Sequence, residues 1–392
     1  MIYFDNGATS YPKPKEVKLS TFESVSSFGA NPGRGGYEMS LKTARQVFLA
    51  RKNLSRLFNT EPELVVFTLN CTHALNTAIK GFLKEGDHVI ITDLEHNSVL
   101  RPLERLKDDG KISYSVFETF ESDEKTLLSL ERELSSHKNT SLVVTTHASN
   151  AFGFVLPIRK IGRLLKERKI AYLVDGAQSA GTLPIDMEKD FIDMLCVPGH
   201  KGLYGVSGTG AFVLGRTFSK VCDSFKTLTE GGTGNVSLSK KMPTEPPERF
   251  EAGSLNTLGI ISLLAGTNYV LKRGVEKINE REIFLSILIY KELSKMDEVV
   301  LYSPNPMEKD QAVPIITFNL KKGEEIIFSE KTAELLAKEG IALRGGFQCA
   351  LLAHKKMGTE SSGAVRISLG DFNTLSQCEI LLSKIKKIAK EI

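Results

Sequence analysis

The feature that most constrains this chain is the regular alternation of short apolar runs with helical patterns between residues 64 and 215. The run 170–174 is apolar at every position and the run 88–92 at its three central positions, which is typical of strands that are buried on both faces. Stretches with apolar residues at helical spacing separate these runs. Repeated strand–helix units of this kind predict an α/β fold with a mostly parallel central sheet flanked by helices.

The rest of the chain predicts a second, smaller domain. At 392 residues, the chain is long enough for two or three domains of roughly 150 residues. Residues 220–254 are rich in glycine and proline and predict a long irregular connection. We therefore predict a large α/β domain over residues 15–260 and a smaller α+β domain built from residues 1–14 and 261–392.

Composition limits the partners of the chain. A net charge of +4 is too small over this length to indicate nucleic-acid binding. The sequence has no apolar run near the roughly 18 residues of a membrane helix, and it begins without the pattern of a signal peptide. There is no metal-binding motif such as HExxH and no paired Cys/His spacing, so we expect no metal site. The five cysteines form no CxxC pair, which favours the reducing cytoplasm over a disulfide framework.

Two strand ends carry the residues that define the predicted site. Asp175 follows the run 170–174, and Lys201 follows the run 192–197 after Pro198-Gly199-His200. Neighbouring strands of an α/β sheet end at one edge, where ligands bind. A lysine amine, together with an acid that holds a pyridinium nitrogen, is what pyridoxal 5'-phosphate requires. Taken alone, the pair has another interpretation, because most lysines are solvated and most strand-end aspartates cap turns.

The other parts of such a cofactor also need partners. The helix start around Thr72 can bind a phosphate through backbone N–H groups and the hydroxyl, although an ordinary N-cap is the alternative. His200 is a second candidate phosphate donor, and His96 can stack on the ring or carry protons near neutral pH. Asn150 and Gln178 can donate to the phenolic oxygen, or each can simply close a turn.

Ten short motifs, taken together, resemble one enzyme family. They are Asp5-Asn-x-Ala-Thr-Ser10, Phe67-Thr68, Glu95-His96, His147-x-Ser-Asn150, Val174-Asp-Gly-Ala-Gln178, Gly199-His-Lys201, Phe250-Glu-Ala-Gly253, Asn256-Thr257, Cys349-Ala350 and Asn373-Thr374. In this order and spacing they resemble the class V aminotransferases of the cysteine desulfurase and selenocysteine lyase group. The resemblance covers about residues 2–380 and implies pyridoxal-phosphate fold type I and a homodimer.

The resemblance also implies a role for individual residues. Lys201 would carry the cofactor and then remove the substrate α-proton, and Asp175 would hold the pyridinium nitrogen. His96 would stack on the ring and take part in catalysis, while Gln178 would contact the phenolic oxygen. The remaining cofactor contacts would come from Cys71, Thr72, Asn150, His200 and, across the dimer, Ser254.

Substrate recognition is implied for two arginines. Arg366 matches the residue that receives the substrate carboxylate, a task suited to a bidentate guanidinium. Asn150 would assist it, and Arg344 lies where the family also has an arginine. Without the resemblance, each arginine would be interpreted as a member of a surface ion pair.

Cys349 matches the cysteine that takes sulfur from the substrate. It follows Gly345-Gly346 in a stretch without helical or strand pattern, so we expect a mobile loop that favours a thiolate nucleophile. The alternative is a small buried hydrophobe, which is our interpretation of the other four cysteines. The implied reaction converts L-cysteine into L-alanine and a Cys349 persulfide. A sulfur-acceptor protein, as in iron–sulfur cluster biogenesis, would complete the cycle.

Several positions depart from the family pattern. Gln348 stands where histidine is frequent, Pro198 replaces a serine, Ser254 replaces a threonine, and residues 70–73 read Asn-Cys-Thr-His in place of Gly-Thr-Thr-Glu. These changes leave selenocysteine, or another small amino acid, as an alternative substrate. A cofactor-free sulfur carrier with the same fold is a third hypothesis, and the intact Asp175–Lys201 pair argues against it.

Overall fold

A computed structural model describes residues 1–33, 35–218, 224–308 and 312–391. Cys222, which we predict to be structural, lies outside these ranges. Within the described residues, no helix is long and apolar enough to cross a membrane.

The chain forms strands and helices in the predicted alternation. The strands are β1 (Ile2–Tyr3), β2 (Val65–Thr68), β3 (His88–Thr92), β4 (Ser113–Phe117), β5 (Thr140–Thr146), β6 (Ala171–Asp175), β7 (Met194–Pro198), β8 (Gly210–Leu214), β9 (Val299–Leu301), β10 (Ile315–Lys322), β11 (Glu325–Ile326), β12 (Ile341–Ala342) and β13 (Val365–Ser368). The helices are α1 (Lys15–Ser27), α2 (Glu38–Phe58), α3 (Cys71–Phe82), α4 (Asn97–Asp108), α5 (Asp123–Ser136), α6 (Ile158–Arg168), α7 (Thr257–Arg273), α8 (Val275–Leu293), α9 (Ser329–Lys338), α10 (Leu351–Lys356) and α11 (Leu375–Glu391).

Seven strands form the central sheet in the order β2-β8-β7-β6-β5-β3-β4. Strand β8 runs antiparallel to both of its neighbours, and the other pairings are parallel. The predicted α/β class with a mostly parallel sheet is therefore confirmed.

Alternation along the strands builds a core on each face of this sheet. Val143 and Val174 pack into one apolar cluster, while their chain neighbours Val144 and Leu173 pack into the cluster on the opposite face. Both faces are covered because these runs carry apolar side chains at successive positions. The sheet is therefore buried on both sides.

The parallel strands end at one edge of the sheet and so place the site. Strand β6 ends at Asp175, and β7 ends at Pro198, three residues before Lys201. Strand β2 runs parallel to β7, since both are antiparallel to β8, and it ends just before the α3 N-terminus. The polar residues predicted from separate motifs therefore meet at this edge.

The C-terminal part contains a second sheet, in which β10 pairs with β9, β11 and β13. Strand β1 joins this part through parallel pairing with β12. Arg344 and Arg366 form an isolated bridge that brings the Cys349 turn close to β13. The division into the two domains given above stays a prediction.

The structure differs from the predicted elements in three places. Strands β1 and β11 were not predicted, because two-residue strands carry no periodicity. The apolar spacing predicts a helix over 126–136, but α5 begins at Asp123, because the Ser122 side chain caps it and acidic residues occupy its first turn. Helix α10 occupies part of the region that we predicted to lack a pattern, immediately after Cys349.

Candidate active site

Asp175 is a buried carboxylate at the end of β6, with 2% of its surface exposed. Its Oδ1 accepts a hydrogen bond from the Ala177 backbone N–H at 2.9 Å. The Cys71 thiol donates to the same oxygen at 3.4 Å. Burial and the neighbouring carboxylate raise the pKa of Cys71, so the thiol keeps its proton and acts as the donor.

Lys201 lies in a tight turn in which glycine is needed on both sides. A Cβ on Gly199 would lie 2.2 Å from the Thr209 hydroxyl, and one on Gly202 would lie 2.4 Å from the Ala180 carbonyl. The Ser10 hydroxyl donates to the Lys201 carbonyl at 2.9 Å. The backbone of Lys201 is thus fixed by contacts that the local sequence alone does not reveal.

The Lys201 ammonium makes no hydrogen bond or ion pair with any residue that the structure describes. Its pKa is lowered, mainly because the surrounding protein excludes water, while Asp175 acts in the opposite direction. An amine that loses its proton more easily is better suited to covalent attachment to an aldehyde.

The N-terminus of α3 lies beside His96. The Asn70 side chain caps the helix by accepting from the His73 N–H at 2.8 Å. The first N–H groups of a helix have no intrahelical partner, so this end can receive a phosphate. The Thr72 hydroxyl lies 2.8 Å from the Ser98 hydroxyl, which lies 2.8 Å from His96 Nδ1. Ser98 thus connects two predicted site residues, although it was not itself a predicted site residue.

His96 is held as the N-cap of α4. Its Nδ1 accepts from the Ser98 backbone N–H at 3.0 Å, which leaves the proton of the neutral ring on Nε2. The pKa of His96 is lowered, first by burial and then by Lys201, Arg101 and Arg344, against a raising effect of Asp175. A neutral ring of this kind can stack on a cofactor.

His200 has a buried ring nitrogen that is available to a ligand. Its Nδ1 has no hydrogen-bond partner among the described residues. Burial, followed by the positive charges of Lys201 and Lys13, lowers the pKa of His200 to about 4. Its backbone carbonyl accepts from the Lys13 ammonium at 2.7 Å, so the N-terminal segment orients this turn.

Arg366 is buried, with 2% of its surface exposed, and is not the surface ion pair of the alternative interpretation. It donates from Nη2 to Asp5 Oδ1 at 2.6 Å and from Nη1 to the Asn150 carbonyl at 2.8 Å. Its Nε has no partner among the described residues. Arg344 is exposed and close enough to lower the pKa of His96 and Lys201. Both guanidinium groups thus retain capacity to bind a carboxylate.

The two predicted amides contact backbone carbonyls. Gln178 Nε2 donates to the Gly7 carbonyl at 2.9 Å, and Asn150 Nδ2 donates to the Gln348 carbonyl at 2.6 Å. Asn150 therefore joins the arginine site to the turn that carries Cys349. The predicted contacts of both amides with a cofactor stay predictions.

Cys349 is exposed and occupies a left-handed backbone conformation, with φ of 58°. Its carbonyl accepts from the Asn97 N–H at 2.8 Å, next to His96. The expected patternless loop is therefore a turn that leads directly into α10. By contrast, Cys71, Cys196 and Cys378 are buried, as predicted for structural cysteines.

Ser254 lies on an exposed stretch just before α7. Ser254 makes no hydrogen bond with any described residue of this subunit. The predicted contact of Ser254 with a neighbouring subunit stays a prediction.

The residues at this edge fit pyridoxal phosphate. An unpaired lysine amine and a buried carboxylate are present for the aldehyde and the ring nitrogen, respectively. The orphaned Nδ1 of His200 and the α3 N-terminus suit a phosphate. The neutral ring of His96 suits stacking. These polar groups come from four separate parts of the chain.

Residues 2–381 match the family described as aminotransferase class V. This chain belongs to the class V aminotransferases. Among curated relatives, a probable cysteine desulfurase of Pyrococcus abyssi is 32% identical and aligns with 100% of this chain and 95% of its own length. A probable cysteine desulfurase of Methanothermobacter thermautotrophicus is 30% identical, over 99% of this chain and 94% of its own length.

A solved structure shows the same fold. The apo cysteine desulfurase of Thermococcus onnurineus superposes with a TM-score of 0.90 and 32% identity, over 100% of this chain and 95% of its own. The predicted fold type is thus confirmed over the full length of the chain.

Proposed function

We propose that this class V aminotransferase is a pyridoxal 5'-phosphate-dependent cysteine desulfurase. The observation that supports the proposal is that Lys201 and the buried Asp175 carboxylate lie at one edge of the sheet, where the turn of the exposed Cys349 is bonded to Asn97 next to His96. The names of the full-length relatives, which are probable cysteine desulfurases, support the same activity.

Bound pyridoxal phosphate would supply an electron sink for negative charge at the substrate α-carbon. Lys201 would hold the cofactor covalently and later remove the α-proton, which its lowered pKa favours. Asp175 would pair with the ring nitrogen, and His96 would cover the ring face. Gln178 would turn from the Gly7 carbonyl towards the phenolic oxygen.

The phosphate would lie at the N-terminus of α3. Thr72 would donate its hydroxyl, and Cys71 would contribute a backbone N–H while its thiol stays on Asp175. His200 would donate from its unpaired nitrogen, since the neutral ring can carry its proton on Nδ1.

The substrate carboxylate would bind between Arg366 and Arg344. Arg366 is oriented before substrate arrives, because Asp5 and the Asn150 carbonyl hold two of its nitrogens. Arg344 is exposed and would supply a second cation, and the Asn150 amide would assist. Preorganised donors of this kind reduce the entropic cost of fixing the amino acid.

Cys349 would then take the substrate sulfur. Its thiolate attacks the sulfur atom, an S–S bond forms, and the bond between that sulfur and the substrate β-carbon breaks with its electron pair left on carbon. Protonation of that carbon gives L-alanine, and Cys349 is left as a persulfide. A sulfur-acceptor protein would remove the outer sulfur, and supply of sulfur to iron–sulfur clusters is the proposed purpose.

A homodimer would complete the site through Ser254 of a second copy. Helix α1 supports this proposal, because its side chains Leu19, Phe22 and Val25 are 58%, 81% and 69% exposed at helical spacing. An apolar stripe of this kind is typical of a surface that is covered in the assembly. The free thiols favour a reducing compartment, and we propose the cytoplasm.

The test is the release of alanine and sulfide from L-cysteine, in the presence of a thiol reductant, by the yellow purified protein. We expect equimolar products that disappear in Cys349→Ala while the cofactor absorbance remains. Cys378→Ala is the matched control, because it removes a buried thiol from α11 and should keep full activity. Bound cofactor without alanine from wild-type protein would reject L-cysteine as the substrate and require a panel of other amino acids, including selenocysteine.

A further inference from the structure

Gln348, immediately before Cys349, is buried in a strained turn. It is 5% exposed, and its φ of 42° is followed by a φ of 58° at Cys349. Two successive residues with side chains rarely adopt this left-handed conformation unless their surroundings impose it. Some feature of the fold must therefore hold this turn.

Hydrogen bonds from three parts of the chain hold Gln348. Its Nε2 donates to the Ala364 carbonyl at 2.9 Å, and its Oε1 lies 3.0 Å from His354 Nε2. His354 Nδ1 in turn lies 2.7 Å from the Thr359 hydroxyl. The Gln348 backbone carbonyl accepts from Asn150, as described above.

The chemistry of these groups fixes the direction of each bond. Ala364 supplies only an acceptor, so the amide nitrogen of Gln348 faces it and the amide oxygen faces His354. His354 must then carry its proton on Nε2 and accept from the Thr359 hydroxyl on Nδ1. Burial lowers the pKa of His354, which agrees with a neutral ring. We call the chain of side chains Gln348, His354 and Thr359 the Gln348 latch.

We propose that the Gln348 latch positions Cys349 for attack on the substrate sulfur, an inference that rests on the proposed function. The latch ties the turn to α10 and to the segment before β13, while Asn97 and Asn150 tie it to the site. Gln348 and His354 are thus positioning residues that need not touch the substrate.

We expect loss of the Gln348 latch to change the position of the Cys349 thiol and not its exposure to solvent. In Gln348→Leu, the Ala364 carbonyl and the His354 N–H lose their partner, and the two left-handed residues lose their support. Misplacement of a reacting group by about 1 Å can cost about 100-fold in rate. Cys349 is already exposed, so a small solvent-borne reagent should still reach it.

The experiment measures four properties of wild-type protein, Gln348→Leu, His354→Leu and His354→Gln. They are kcat and KM for alanine release, the rate of Cys349 alkylation by iodoacetamide, and amide exchange at Asn97. Both leucine variants should lower kcat by about 10- to 100-fold, with KM and alkylation within about threefold of wild type. Exchange at Asn97 should accelerate at least about tenfold, because its N–H donates to the Cys349 carbonyl.

Two variants serve as controls. His354→Gln retains a donor near the position of Nε2 and should recover most of kcat. Gln377→Leu removes an amide that caps the start of α11 and should leave all four properties unchanged.

The proposal is overturned if folded Gln348→Leu keeps wild-type kcat and wild-type Asn97 exchange. Should that variant not fold, the same result for His354→Leu overturns it. Wild-type protein that releases no alanine rejects the proposed function instead, and Asn97 exchange then still decides whether the latch holds the turn.

Discussion

Glu95 provides a quantitative test of how this site controls charge. Its side chain is fully buried, and Oε1 accepts from the Thr92 hydroxyl at 2.6 Å and from the Thr146 N–H at 2.7 Å. Its Oε2 has no partner among the described residues. Burial raises the pKa of Glu95 from 4.5 to about 8, against the lowering effect of these hydrogen bonds. At neutral pH, Glu95 is therefore mostly protonated beside Asp175.

The raised pKa makes stability depend on pH in a defined direction. Between pH 4.5 and about 8, folded Glu95 holds a proton that the unfolded chain has released. Stability therefore falls as pH rises through this window. Across the whole window, the ionisation of Glu95 should lower the free energy of unfolding by an amount of the order of 5 kcal/mol, at about 1.4 kcal/mol for each pH unit. Glu95→Gln removes the ionisation, so its stability relative to wild type should increase with pH.

The assay is urea unfolding between pH 5 and 8.5, followed by far-ultraviolet circular dichroism and by tyrosine fluorescence, since the chain has nine tyrosines and no tryptophan. The urea midpoint of wild type should fall with pH relative to that of Glu95→Gln. Glu23→Gln, on the exposed face of α1, should follow wild type at every pH. Parallel pH curves for wild type and Glu95→Gln would mean that Glu95 ionises normally, and the reasoning from burial would be wrong.

Three further predictions concern single contacts. Cys71→Ala removes a hydrogen-bond donor from Asp175 and should raise, by about half a pH unit, the pH at which the absorbance of the bound cofactor is half changed. Cys71→Ser keeps a donor and should leave this pH unchanged, so identical titrations of the two variants would contradict the prediction. Arg366→Lys should raise KM for L-cysteine about 10- to 100-fold in alanine-release assays, because an ammonium cannot keep the ion pair with Asp5 and also make two hydrogen bonds to a carboxylate. An unchanged KM would refute the assignment of Arg366 to the substrate carboxylate. Asn70→Ala should lower the free energy of unfolding by about 1 kcal/mol in urea titrations, with Asn70→Asp close to wild type, and equal loss in both would exclude a capping role.

The fold and the centre of the site were predictable because local patterns determine them. An apolar run that ends in a polar residue marks the end of a buried strand, and a parallel sheet gathers such ends at one edge. Asp175 and Lys201 were found in this way. The antiparallel direction of β8 was not predictable, since an apolar run reads the same in either direction.

The supporting contacts depend on pairings between distant residues. Asp5 holds Arg366 across 361 positions, and no periodicity connects them. The Gln348–His354 contact spans only six residues, but it requires two successive left-handed residues, a conformation that glutamine and cysteine rarely adopt. Ser98 lies two residues after His96, and a serine so close to a predicted site residue at the start of a helix could have identified it.

The pairing of β1 with β12 has a consequence for the order of events during synthesis. Residues 5–13 support the Lys201 turn, yet the backbone of Asn6 is held by Ser368, near the other end of the chain. Residues 5–13 must therefore wait for the synthesis of Ser368 before they can dock completely. Closing so long a loop is slow compared with local helix formation. We expect the large sheet to form first and the cofactor to be captured only after β13 has been synthesised, when residues 5–13 can dock against the turn around Lys201.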